Sequence, residues 1–257
     1  MDPPDTIEEL NPEISVVIPL RDEEPNVAPL HDEFTRVLTQ TGRLYELILI
    51  DDGSEDGTFE QLRAVQSRDA RVRVIQFTRN FGQTAAFAAG FAAARGRFIV
   101  TADGDLQSDP ADIPQLLKLA ESYDIVSGWR KQRKDNVLTR HVPSVVANWL
   151  LARVTGVRLH DNGCSLKVYR AEVVKPLKLR PGMHRYLPAL ASQLGGRIAE
   201  VVVNHRPRRF GRSKYGLLRT FSVVRDLIGL RLLMRQAVDP AAPVPVLYEI
   251  RRVLEGV

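Results

Sequence analysis

Cysteine is nearly absent. Cys164 is the only one in 257 residues, so no disulfide can form within the chain. That fits a reducing compartment. Long apolar runs are missing too. The longest stretch without a charge, Asn80 to Ala94, has 15 residues and is rich in alanine and glycine. A membrane-spanning helix needs roughly 18 or more apolar residues, so none is expected. The acidic, proline-rich start, Met1-Asp-Pro-Pro-Asp-Thr6, holds no apolar core of a secretory leader. No G-x-G-x-x-G follows the first apolar run, and no G-x-x-x-x-G-K-[ST] occurs, which disfavours dinucleotide oxidoreductases and P-loop enzymes. The five histidines show no metal-ligand spacing and read as surface or structural groups, apart from His205 in a basic loop. Cys164 itself reads as a small buried hydrophobe.

What is present is ordinary in bulk and unusual in its distribution. Hydrophobic residues make up 44% and charged residues 26%, enough for a globular core. The net charge of +5 hides a division. Residues 1–127 carry 11 Lys+Arg against 23 Asp+Glu, and residues 128–235 carry 23 against 5. The basic half implies a negative partner such as phosphate, an anionic membrane face or nucleic acid. Charge runs are also commonly just solvated faces. No nucleic-acid-binding module is recognisable, so that class is not expected.

Apolar runs alternate with helical spacing along the first half. Ile14–Ile18, Leu44–Ile50, Val72–Phe77, Arg97–Ala102 and Asp124–Ser127 read as strands. Ala28–Gln40, Thr58–Arg68, Gly82–Ala94 and Ile113–Glu121 read as helices. This order predicts an α/β fold, a Rossmann-like, mostly parallel central sheet with helices on both faces. The tail, Val246 to Val257, is expected to form a helical turn or two after the Pro-rich linker Asp239–Pro245.

Ligands bind beyond the carboxyl ends of strands in such sheets. Three acidic clusters fall there: Asp22-Glu23-Glu24, Asp51-Asp52, and Asp103 with Asp105. On an extended chain Asp103, Asp105 and Gln107 would point the same way and converge on one point. Oxygen ligands of this kind suit a hard divalent cation, Mg²⁺ or Mn²⁺, completed by substrate phosphates. The bland alternative is an Asx-rich turn with Gly104 at its tip.

Four segments together carry a resemblance. Val17-Ile-Pro-Leu-Arg-Asp-Glu-Glu24, Ile50-Asp-Asp-Gly-Ser-Glu-Asp-Gly-Thr58, Arg79-Asn-Phe-Gly82 and Ala102-Asp-Gly-Asp-Leu-Gln107 resemble, in order, family 2 glycosyltransferases of GT-A fold. Gly128-Trp-Arg130, Asp161-Asn-Gly-Cys-Ser-Leu-Lys167 and His205-Arg-Pro-Arg-Arg-Phe-Gly-Arg-Ser-Lys-Tyr215 resemble the polyprenyl-phosphate branch, with dolichyl- and undecaprenyl-phosphate acceptors. The resemblance implies that Pro19, Arg21, Glu23, Asp51, Asp52, Asn80, Gly82 and Asp103 bind the nucleotide-sugar. It implies that Arg208, Ser213 and Lys214 close over the donor diphosphate. Asp103, Asp105 and Gln107 match the metal site, and Asp105 and Arg130 the catalytic centre. Arg130 and Arg140 match residues holding the acceptor phosphate. The family usually has an aromatic and Asn before the first Glu. Here Arg21 and Asp22 stand there, and Arg21 offers a planar cation instead.

The implied division is an N-terminal extension (1–13), a GT-A catalytic domain (14–213), amphipathic interfacial helices (214–236), and a Pro-rich linker with a short tail (237–257). Leu217 to Met234 is apolar but broken by arginines, which fits a membrane interface and fits a packed or dimer-forming helix pair equally. The branch often carries two C-terminal transmembrane helices, and this chain shows none. The expected reaction is inverting, metal-dependent transfer of a hexose to a polyprenyl phosphate at the cytoplasmic membrane face. The implied partners are the donor, the acceptor, an anionic membrane surface, and a membrane subunit or second copy. Two alternatives stay open: transfer to a saccharide or other hydroxyl, and a non-catalytic nucleotide-sugar-binding scaffold.

Overall fold

The computed structural model describes residues 11–131, 152–153, 155–209 and 234–255. Arg140, Ser213, Lys214 and nearly all of the 214–236 segment lie outside them.

Eight strands form one sheet: β1 (Ile14–Leu20), β2 (Tyr45–Asp51), β3 (Val72–Phe77), β4 (Phe98–Thr101), β5 (Ile125–Trp129), β6 (Lys167–Arg170), β7 (Ile198–Val202) and β8 (Ile250–Leu254). Their order is β7-β5-β6-β4-β1-β2-β3-β8. β4, β1, β2 and β3 run parallel. β6 enters antiparallel between β4 and β5, and β7 pairs parallel with β5. The result is an α/β fold, one central sheet with helices on both faces, as the alternation predicts. The ends of β1 to β5 thus share one edge with the start of β6, so Lys167 and the turn before it arrive where the acidic clusters lie.

Both faces of β1 are buried, which is why it reads as an unbroken apolar run. Ile14, Val16 and Ile18 face one layer with Leu30, Phe34 and Leu38 of α1 (Glu24–Gln40) and Leu62 of α2 (Thr58–Gln66). Val17 faces the other with Ala85, Ala86 and Ala89 of α3 (Gln83–Ala93). A Cβ on Gly90 would stand 2.2 Å from Val17 Cγ1, so α3 lies against the sheet at a distance only small residues permit. α4 (Ile113–Ala120) covers the β4–β6 region on the first face.

Two boundaries differ from expectation. α1 begins at Glu24 rather than Ala28, because Pro25 sits in the first turn, where its missing N–H costs nothing. The tail is not helical: Ile250–Leu254 pairs antiparallel with β3. It is anchored by Arg73 Nε donating to Glu255 Oε2 at 2.6 Å and by Tyr248 stacked on Phe77 at 5.1 Å. Four of its five residues are exposed, so this edge strand leaves little apolar signal.

Candidate active site

The loops after β1 and β2 are stapled to each other. Asp22 N donates to Ser54 Oγ at 3.0 Å, Glu55 N to Asp22 Oδ1 at 2.9 Å, and Glu23 N to Thr58 Oγ1 at 2.8 Å. Asp22 sits at φ 47°, a conformation Asp tolerates better than most residues. Gly53 is at φ 65°, and a Cβ there would stand 2.3 Å from Arg79 C, so only glycine lets the loops after β2 and β3 touch.

The Asp51-Asp52 pair divides its work. Asp52 accepts from Phe81 N at 2.7 Å and Gly82 N at 3.0 Å, tying the start of α3 to β2. Burial raises its pKa, and these two N–H groups oppose the rise. Asp51 is fully buried. Its Oδ1 accepts from Ser54 N at 3.0 Å, while Oδ2 meets no donor. Of the two, Asp51 has an acceptor left over. Pro19 lies in β1 opposite Ile50.

The Asp103–Gln107 segment is a turn, not an extended chain, and Leu106 stands at φ 61°. Convergence by alternation along a strand is therefore corrected: the turn brings the carboxylates together. A buried leucine in the left-handed region is uncommon and marks a backbone shaped by something other than packing. Asp103 Oδ1 accepts from Gln83 Nε2 at 2.7 Å. Asp105 Oδ1 accepts from Gln107 N at 3.1 Å. Gln107 Nε2 reaches Arg206 O at 3.3 Å, which turns the amide toward the basic loop.

That loop supplies a cation. Arg208 Nη2 donates to Asp105 Oδ2 at 2.6 Å, and Nη1 lies 3.6 Å from Glu23 Oε1. Burial and the like charge of Asp103 push the Asp105 carboxyl up, with Gln107 N and Arg208 opposing. Asp103 and Asp105, with the Arg208 guanidinium against Asp105, form a seat for positive charge beyond the ends of β1 and β4. The donor set is hard oxygen, so a divalent cation fits it. Among the described residues no group of three His, Cys, Asp or Glu side chains is placed to hold a metal. A cation here would rely on two carboxylates, the Gln107 amide and ligand phosphates.

On the β5 side Arg130 forms a fork with Asp161, Nε to Oδ2 at 2.7 Å and Nη2 to Oδ1 at 2.9 Å. Burial works against the Arg130 charge, but the Asp161 carboxylate more than offsets it and holds the pKa above the ordinary value. Lys167 is buried and donates to the carbonyls of Asn162 and Cys164, which fixes the turn that carries Asp161. Burial lowers its pKa. Cys164 is buried, as expected.

Over β2 and β3 lies a pocket of about 250 Å³ lined by Arg21, Ser54, Gln76, Arg79, Asn80 and Arg251, among others. Arg21 and Asn80 were singled out from the sequence. Gln83, beside Asp103, and Arg251 were not. Gln83 directly follows the Arg79–Gly82 motif, whereas Arg251 has no motif around it.

The family model described as Glycosyl transferase family 2 matches residues 15–177. The chain belongs to that family. It is 46% identical over 233 residues to a dodecaprenyl-phosphate galacturonate synthase of Rhizobium johnstonii, covering 89% of this chain and 69% of the relative. It is 37% identical over 217 residues to an undecaprenyl-phosphate 4-deoxy-4-formamido-L-arabinose transferase of Pseudomonas aeruginosa, covering 84% of this chain and 64% of that relative. The chain thus spans about two thirds of the length of these family 2 relatives. Among solved structures, glucosyl-3-phosphoglycerate synthase from Mycobacterium tuberculosis, in complex with Mn²⁺, uridine diphosphate and phosphoglyceric acid, shares the fold. It has a TM-score of 0.66 and 24% identity, over 94% of this chain and 86% of that one.

Proposed function

We propose that this family 2 glycosyltransferase moves a sugar from a nucleoside-diphosphate sugar to a polyprenyl phosphate, with inversion. One observation carries the reading: the site's parts lie in line along one sheet edge. The arginine-lined pocket stands over β2 and β3, the Asp103/Asp105/Arg208 cluster beyond β4 and β1, and the Arg130–Asp161 fork beyond β5. Pocket and carboxylate cluster are centred about two strand spacings apart, roughly 10 Å, a span that a nucleoside diphosphate can bridge. The names of both relatives carry a polyprenyl phosphate.

In this reading Arg21, Asn80, Pro19 and Asp51 bound the nucleoside, Glu23 lies nearer the ribose, and Asp52 and Gly82 hold the frame. Asp103, Asp105 and Gln107 would hold Mg²⁺ or Mn²⁺, which when bound neutralises charge building on the leaving diphosphate. Arg208, with Ser213 and Lys214 outside the described residues, closes over that diphosphate. The acceptor needs no general base, because a phosphate monoester has its second pKa at about 6 and is largely ionised near neutrality. Its oxygen attacks the anomeric carbon as the bond to the diphosphate oxygen breaks. Arg130, stiffened by Asp161, and Arg140 orient it.

Among the described residues no helix is long and apolar enough to cross a membrane. We place the reaction at the cytoplasmic face. The chain is held there through residues 214–236 on anionic lipid, with a membrane subunit or a second copy as further support. The test is a donor panel of UDP- and GDP-hexoses, including UDP-galacturonate, with undecaprenyl phosphate and Mn²⁺ or Mg²⁺. Lipid-linked sugar from one donor is the expected result. Transfer only to saccharide or other hydroxyl acceptors would overturn it.

A further inference from the structure

The pairing of β8 with β3 contains an irregularity. Gln76 faces Arg252 and Phe77 faces Ile250, so Arg251 has no partner across the ladder and forms a β-bulge. Bulges re-aim side chains and are over-represented beside active sites. Here the bulge sends Arg251 to the wall of the 250 Å³ pocket, where Arg21 and Arg79 also stand. Arg251 Nη2 donates to Thr78 O at 3.3 Å, which steadies the guanidinium at the rim. The Arg79 guanidinium carbon already lies over the Phe81 ring, 4.1 Å from its centroid. Among the described residues of the lining Glu55 is the only acidic one against three arginines, so this wall is cationic. The pocket's lining at the ends of β2 and β3 lies across β1 from β4, the strand that Asp103 and Asp105 follow.

We infer that Arg251, carried in by the bulge of the C-terminal strand, is a donor-binding residue that contacts the base of the nucleoside diphosphate. This rests on the donor reading above. A guanidinium offers both a planar face for stacking and a fork of donors for base carbonyls. With Arg21 standing where an aromatic is usual, two such planes can hold the base. The C-terminal strand then belongs to the active site and not merely to the sheet edge.

The test is calorimetry of UDP and of GDP, each with Mn²⁺, on the full chain. Arg251→Ala should weaken whichever nucleotide the wild type prefers by about tenfold, the scale of one charge-assisted contact. Inorganic pyrophosphate with Mn²⁺ should bind as before. Arg252→Ala, on the same strand but 6.0 Å over Phe59, should change neither. Arg251→Lys should recover only part of the loss. Unchanged nucleotide affinity in Arg251→Ala, equal weakening of pyrophosphate, or full recovery by lysine would each overturn the inference and leave the donor reading intact. A wild-type chain that binds neither nucleotide would overturn both. Equal melting temperatures across the variants make the comparison one of binding.

Discussion

Arg208 holds the position a divalent cation would compete for. Its guanidinium sits 2.6 Å from Asp105 Oδ2 and reaches toward Glu23. Arg208→Ala should therefore bind Mn²⁺ about tenfold more tightly in the absence of nucleotide, since a charged hydrogen bond of about 1.5 kcal/mol no longer has to be broken. Turnover should fall in the same variant, because the donor diphosphate loses its guanidinium. Mn²⁺ titration followed by electron paramagnetic resonance reads the first effect, and weaker or unchanged affinity would contradict it. At this scale the sequence picked out the acidic residues at the strand ends but not their partners. Asp103 and Asp105 were legible because they close an apolar strand in company with two other acidic clusters at strand ends. That Asp52 holds Phe81 and Gly82, and that Leu106 takes a positive φ, depends on chain segments meeting in space or on a turn no motif specifies.

Elements are held at their ends by a few buried charges. Asp69, after α2, accepts from Arg71 Nε at 2.8 Å and faces His31 Nε2 of α1 at 2.9 Å. Burial raises its carboxyl pKa, but the Arg71 and His31 hydrogen bonds more than offset this and hold it at about 2 against an ordinary 3.8. As pH falls the unfolded chain takes up the proton first. The contribution is therefore full above about pH 4 and is lost between about pH 4 and 2. Asp69→Asn should cost about 1–2 kcal/mol at pH 7 and nearly nothing at pH 2. Denaturant unfolding across that range checks it, and a cost independent of pH would contradict it. The four parallel strands were legible as apolar runs because both their faces are buried. β6 starts with Lys167 and ends with Arg170, β7 is only partly buried and β8 is mostly exposed, so none of them leaves a clear apolar period.

Across the whole molecule, the opposed charges of the two halves meet each other as well as any ligand. Arg206 pairs with Glu33 of α1 and with Asp109, Arg209 with Glu33, and Arg208 with Asp105. The acidic half is thus one partner of the basic loop, which charge counting alone could not reveal. The remaining basic residues of 214–236 are expected to bring the chain to anionic vesicles in a salt-sensitive way, by about 1 kcal/mol per Lys or Arg near the surface. Flotation with anionic and neutral vesicles reads this, and equal absence from both at low salt would contradict it. In the function we propose, an ionised phosphate, not a hydroxyl, receives the sugar at a site built on Asp105. The direct measurement is radiolabel transfer at neutral pH to undecaprenyl phosphate and to undecaprenol, by the wild type and by Asp105→Ala. Label should pass to the phosphate alone, and Asp105→Ala should lose transfer by orders of magnitude while keeping its fold. Comparable labelling of undecaprenol, or turnover by Asp105→Ala within a factor of two of wild type, would contradict it.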